Sequence, residues 1–192
     1  MTMKSVCVYC GSNIGKLPDY EMAAVALAKV LVQNNIQLIY GGASVGTMGA
    51  IADAALADGG EVIGIIPRDI LAKKEVAHQH LTKMHVVETM HERKSLMAEL
   101  ADGFIAMPGG MGTMEELFEV ITWGQLRFHT KPCAVLNVAG YYDHLTAFMA
   151  HAADQEFIRP EHVNMVINEQ DPTTLVRRMQ AYVPPEVNKW ID

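Results

Sequence analysis

The chain is short of cysteine, of positive charge and of long apolar runs, and each shortage excludes a class of protein. Its three cysteines, Cys7, Cys10 and Cys133, cannot all pair with one another, so the disulfide framework of a secreted scaffold is not expected. Cys7 and Cys10 have C-x-x-C spacing, but Cys7 lies inside the first apolar run instead of opening a helix, which argues against redox or metal work. Lys and Arg number 15 against 22 Asp and Glu, a formal net charge of −7. Nucleic acids are bound mainly by clustered cations, so no nucleic-acid partner is expected. The hydrophobic fraction of 50% and mean hydropathy of +0.11 are high for a soluble chain. No apolar stretch nears the ~20 residues that span a bilayer, so the excess fits a sheet covered on both faces and a subunit interface, not a membrane. The opening MTMKSVCVYCGS lacks the apolar core and cleavage site of a secretory signal, which makes the cytoplasm the expected location. The histidines, among them His78, His80, His85 and His91, show no ligand spacing, so no metal site is expected.

What is present is alternation. Val6 to Tyr9, Gln37 to Tyr40, Glu61 to Ile66, Lys83 to Val87, Phe104 to Met107, Lys131 to Val138 and Val163 to Asn168 read as strands, with Pro67 stopping the third. Asp19 to Asn34, Ala50 to Ala57, His91 to Ala101, the stretch from Thr113, Tyr142 to Asp154 and Pro172 to Tyr182 read as helices. Arg68 to Thr82 is polar and without period, a long functional loop with some helix. The pattern predicts an α/β fold, a Rossmann-like doubly wound, mostly parallel sheet of about seven strands with helices on both faces. With no linker or low-complexity segment, residues 1–192 are expected to form one nucleotide-monophosphate-binding domain.

Two glycine loops join strand to helix and both end in Gly-Thr-Met: Gly41, Gly42 to Gly46, Thr47, Met48, and Gly109, Gly110 to Gly112, Thr113, Met114. Loops at the carboxyl ends of parallel strands line the ligand crevice of such sheets, so Gly42, Gly46 and Thr47 are candidates for a second phosphate-side loop. In the first, Gly41 and Gly46 have Walker A spacing, but Thr47-Met48 replaces the Lys-Ser/Thr pair that ATP hydrolysis requires. In the second, Glu115 stands where the third glycine of a dinucleotide fingerprint belongs, and no acidic residue ends the next strand. A monophosphate suits both loops better, held by bare backbone N–H groups at a helix start. Glu116 then lies in the first helical turn, near whatever the phosphate is attached to. Thr113-x-x-Glu116 also has capping-box spacing, so helix capping and chemistry are both open to Glu116. Arg93 and Lys94 are adjacent on a helix, Arg93 on the face of Met97, so they do not both reach one small site unless a helix start intervenes.

Taken together, MHERK from Met90 to Lys94 and PGGMGTMEE from Pro108 to Glu116 resemble the Lonely Guy family of cytokinin riboside 5'-monophosphate phosphoribohydrolases, whose pattern is P-G-G-x-G-T-x-x-E. VCVYCGS, YGGASVGTMG, VITWGQL from Val120 and NVAGYYDHL from Asn137 support the likeness, which runs from about Val6 to Ile158. Members are often labelled lysine decarboxylases, a reaction for which no lysine of this chain stands out as a Schiff-base former. The resemblance implies a Rossmann-like homodimer that hydrolyses the N-glycosidic bond of AMP or N6-substituted AMP to free base and ribose 5-phosphate. It implies catalytic roles for Glu116 and Arg93, with no metal or organic cofactor required. Substrate contacts fall, by position, on Glu75 and Lys94, on Gly110, Met111, Gly112, Thr113, Met114 and Glu115, and on Thr122. A carrier that binds nucleotide without hydrolysis and a ribosyl transferase are the alternatives.

Overall fold

The computed structural model describes residues 3–72 and 77–186. Seven strands form one sheet: β1 (Ser5–Tyr9), β2 (Gln37–Tyr40), β3 (Val62–Pro67), β4 (Lys83–Val87), β5 (Phe104–Ala106), β6 (Cys133–Leu136) and β7 (Val166–Glu169). Their order is β4-β3-β2-β1-β5-β6-β7, and every neighbouring pair is parallel. The chain steps outward from β1 to β4 and then returns to the other side of β1 at β5. The two strand ends that flank this reversal splay apart and leave a crevice at the carboxyl edge, where α/β sheets bind ligands.

The helices are α1 (Pro18–Gln33), α2 (Gly46–Ala57), α3 (Arg68–Ala72), α4 (Met90–Leu100), α5 (Met111–Gln125), α6 (Asp143–Asp154), α7 (Pro160–Val163) and α8 (Pro172–Gln180). All five residues of β1 are buried, and the two-residue period divides them between two cores. Val6 and Val8 pack with Leu27 and Leu31 of α1, Ile51 of α2 and Leu175 of α8. Cys7 and Tyr9 pack with Met97 of α4 and Leu117 and Val120 of α5. Cys7 and Cys10 belong to opposite cores, and all three cysteines are free thiols. No helix among the described residues is long and apolar enough to cross a membrane.

Several boundaries differ from the sequence reading. Pro67 does not stop β3 but ends it inside the ladder, in register with Val87, a strand-terminal position where its missing N–H costs little. β7 starts at Val166, not Val163, because Pro160 at the first helical position starts the short α7. α2 and α5 begin at Gly46 and Met111, so part of each glycine loop is already helix. In the long segment after β3, α3 is followed by an isolated bridge from Ala77 to Ala43 and by the His78 N–H donating to Gly42 O at 3.0 Å. Glu75 lies outside the described residues.

Candidate active site

A cavity of about 270 Å³ opens at the topological reversal. Its walls come from the ends of β1, β2 and β3, from Met48 of α2 and Ile70 of α3, from α4, and from the first turns of α5. Gly110 caps α5 with its backbone extended and no side-chain cap bond, and Met111 is the first helical residue. The capping box that spacing allows at Thr113 and Glu116 is therefore absent, and Glu116 falls in the second turn instead of the first. In α4, where the same T-x-x-E spacing recurs, Thr89 does cap the helix, while Glu92 reaches past it to the residue before. There Thr89 Oγ1 accepts from Glu92 N at 3.1 Å, and Glu92 Oε2 accepts from Glu88 N at 2.8 Å.

Freed from capping, Glu116 leans back along the helix toward the cavity, as helical side chains do. It is 8% exposed. Desolvation by burial pushes its carboxyl up to about 7; Arg93 opposes that shift, and Glu115 adds to it. Arg93 Nη2 stands 3.8 Å from Glu116 Oε1, within ion-pair range and beyond hydrogen-bond range. Arg93 Nε is buried without an acceptor among the described residues, so the guanidinium keeps donors for a ligand. Room for it comes from Gly41: a Cβ there would lie 2.2 Å from Arg93 Nη2.

Lys94 does not share the cavity. Its Nζ turns to Glu115 Oε1 and, at 3.0 Å, to Glu119 Oε1, and the Glu115 hydrogen bond raises its pKa. The adjacent cations thus serve different carboxylates on α5, with Arg93 toward Glu116 and Lys94 clamping α4 to α5. Glu115 lines the cavity edge, whereas Met114 and Thr122 do not; Thr122 is exposed, with its hydroxyl donated to Phe118 O at 2.7 Å.

The glycines have separate reasons. A Cβ at Gly109 would meet Thr113 Oγ1 at 2.2 Å, so that residue is squeezed by packing. A Cβ at Gly110 or Gly112 would meet nothing within 4 Å, so both leave open space on the cavity side. The N–H groups of Met111, Gly112 and Thr113 have no acceptor inside the helix, and with the helix dipole they favour an anion there. The loop around Gly46 differs. A Cβ at Gly46 would lie 2.3 Å from Ser12 C, and Thr47 Oγ1 accepts from Gly11 N at 3.0 Å and donates to Gly11 O at 3.1 Å. Gly42, Gly46 and Thr47 are absent from the cavity lining; Gly46 and Thr47 hold the loop after β1. Cys10 lines the cavity as a neutral thiol, since burial pushes it up to about 12. No group of three or more His, Cys, Asp or Glu suited to a metal occurs among the described residues.

Spacing alone missed the tyrosines behind the glycine loop. Tyr141 Oη donates to Gly109 O at 2.5 Å, and Tyr142 Oη donates to Met107 O at 2.6 Å. Their only trace in the sequence was the stretch NVAGYYDHL.

Residues 48–179 match the family described as "Possible lysine decarboxylase". A cytokinin riboside 5'-monophosphate phosphoribohydrolase of Rhodococcoides fascians is 49% identical over 166 residues, covering 86% of this chain and 84% of that protein. One of the same name from Arabidopsis thaliana is 44% identical over 181 residues, covering 94% of this chain and 83% of its own length. Among solved structures, the molybdenum cofactor carrier protein of Chlamydomonas reinhardtii superposes with a TM-score of 0.68 at 17% identity, over 94% of this chain and 99% of that one, a likeness of fold.

Proposed function

Because the chain belongs to the family of cytokinin riboside 5'-monophosphate phosphoribohydrolases, we propose that its cavity holds a nucleoside 5'-monophosphate by the phosphate and places the N-glycosidic bond against Glu116 and Arg93. The chain is an N-glycosidic-bond hydrolase that releases a free base and ribose 5-phosphate from AMP or N6-substituted AMP. The observation that carries the site assignment is the buried Glu116 and Arg93 pair beside the open first turn of α5.

Loss of the base leaves positive charge on C1' and the ring oxygen. A carboxylate fixed beside that charge stabilises the transition state more than the ground state, because only the former carries it. Glu116 fills this role in its ionised form and holds a ribose hydroxyl or the attacking water. Arg93 offsets part of the burial cost of ionising Glu116, and its spare donors position the sugar. The N–H groups from Gly110 to Thr113 bind the 5'-phosphate. Glu75 belongs to the same reading as a contact near the base, and Lys94 supports the site through Glu115.

The same reading includes a homodimer built across the outer face of α5. Met111, 89% exposed, shares a helical stripe with the exposed Phe118 and Thr122. A subunit contact there covers the apolar pair and sets Thr122 against the second copy. One nucleotide-binding domain and a cytoplasmic location complete the proposal, supported by the single sheet and three free thiols.

Chromatography of AMP and isopentenyl-AMP reactions tests the function. Adenine or isopentenyladenine should appear together with ribose 5-phosphate, while adenosine is poorly used. Equal rates on AMP and adenosine would remove the phosphate anchor. Tight binding without products would favour a carrier.

A further inference from the structure

The loop from Asn137 to Tyr142 lies outside the cavity, yet it is built with unusual care. Ala139 adopts φ +50° and Gly140 φ +72°, which brings two consecutive tyrosines to face the glycine loop. Asn137 holds this turn, accepting from Tyr142 N at 2.7 Å and donating to Asp143 Oδ1 at 2.7 Å. The rings of Tyr141 and Tyr142 pack edge to face at 5.1 Å, and Tyr141 packs edge to face on Tyr20 of α1 at 5.9 Å. Both hydroxyls are spent on backbone carbonyls of the loop that follows β5, at Gly109 and Met107.

A trans peptide holds its C=O and N–H in opposite directions. Tethering Gly109 O to Tyr141 therefore turns the Gly110 N–H away from Tyr141, and Gly110 lines the cavity while Tyr141 does not. Without that tether, two bare glycines in sequence leave the Gly109–Gly110 peptide free to rotate, and a carbonyl turned toward the cavity would repel an anion. Tyr142 fixes the Met107 carbonyl where the loop leaves β5, two residues before Gly109, and burial keeps its phenol protonated well beyond neutral pH, so it remains a donor.

We propose that Tyr141 and Tyr142 are positioning residues for the phosphate cradle: Tyr141 orients the Gly110 N–H by holding the Gly109 carbonyl, and Tyr142 anchors the start of the loop through the Met107 carbonyl. The inference rests on the phosphate-binding role of that loop given above.

Tyr141→Phe and Tyr142→Phe, singly and together, test it. Each single change should raise KM for AMP about fivefold and leave kcat within about twofold, as expected for loss of one hydrogen bond that orders a binding group. The slow turnover of adenosine, which has no phosphate to lose, should not change. Calorimetric affinity for ribose 5-phosphate should fall by the same factor as the rise in KM. Unchanged KM in both variants, or kcat falling equally on AMP and adenosine, overturns the proposal. If the buried Tyr142→Phe does not fold, the half-exposed Tyr141→Phe decides alone. A parent enzyme that cleaves no nucleotide would sink the functional reading instead, and ribose 5-phosphate titration of the variants would still decide the cradle.

Discussion

Arg93 Nη2 lies 3.8 Å from Glu116 Oε1 at the floor of the cavity, close enough to stabilise the carboxylate and too far to tie it up. Burial wins this contest, since the Glu116 carboxyl stays up at about 7 despite the cation. If the ionised form acts, kcat should rise with pH through about 7. Arg93→Ala removes the opposing charge, so the midpoint should move to higher pH, with a plateau at least about tenfold lower. Arg93→Lys keeps the charge but loses the planar fork and should shift the midpoint less. A pH–rate profile whose midpoint does not differ between parent and Arg93→Ala would show that the pair is uncoupled.

Glu116→Gln should lose most activity and gain stability, a combination a purely structural residue does not give. The folded carboxyl titrates near 7 against an ordinary 4.5, so the folded state binds more protons between those values. Stability contributed by this group is thus fully present below about pH 4.5 and is lost as pH rises toward 7. Glutamine cannot ionise and escapes that loss. At pH 8 the variant should be more stable by up to about 3 kcal/mol, and at pH 4 it should match the parent. Thermal melts at the two pH values check this, and an equal or lower Tm at pH 8 contradicts the burial argument.

The outer face of α5 gives a separate test. Phe118→Asp places a charge at the centre of the exposed stripe with Met111 and Thr122 and leaves the chain's own core untouched. It should convert the protein to monomers in sedimentation without lowering Tm through core packing, and activity should fall with dimer content. A dimer that persists places the contact elsewhere.

The alternation of strand and helix, the crevice and the placing of Glu116 beside it were legible, because apolar runs ended by glycine carry their own punctuation. What stayed hidden depends on how distant segments meet. T-x-x-E occurs at Thr89–Glu92 and at Thr113–Glu116, and only the first caps a helix. Spacing is identical in the two; the difference lies in where each helix starts, at Met90 directly after Thr89 but at Met111, two residues before Thr113. Lys94 could not be paired in advance, since Glu115 and Glu119 become its partners only in the packed register of α4 on α5. Tyr141 meets Gly109 across 32 positions of chain. Gly41 reads as a loop residue and is, in the fold, the space Arg93 occupies.

That last relationship separates the glycines by experiment. Gly41→Ala puts a methyl group 2.2 Å from Arg93 Nη2, against the movable end of a side chain, so the protein should fold and the guanidinium should be displaced. Its kinetics should copy Arg93→Ala, including the shift of the pH midpoint. Gly110→Ala and Gly112→Ala add a methyl group in open space and should keep the parental Tm within a few degrees, while KM for AMP rises because the methyl enters the volume assigned to phosphate. Gly109→Ala is the opposite case. Its methyl group would stand 2.2 Å from Thr113 Oγ1 and 3.1 Å from Gly11 N, between a buried side chain and backbone, so destabilisation of about 1–3 kcal/mol is expected before any effect on binding. Melting curves and AMP kinetics on the four variants should thus fall into three classes. Gly110→Ala losing Tm like Gly109→Ala, with KM unchanged, would mean that the open space beside the first turn of α5 is not where the phosphate sits.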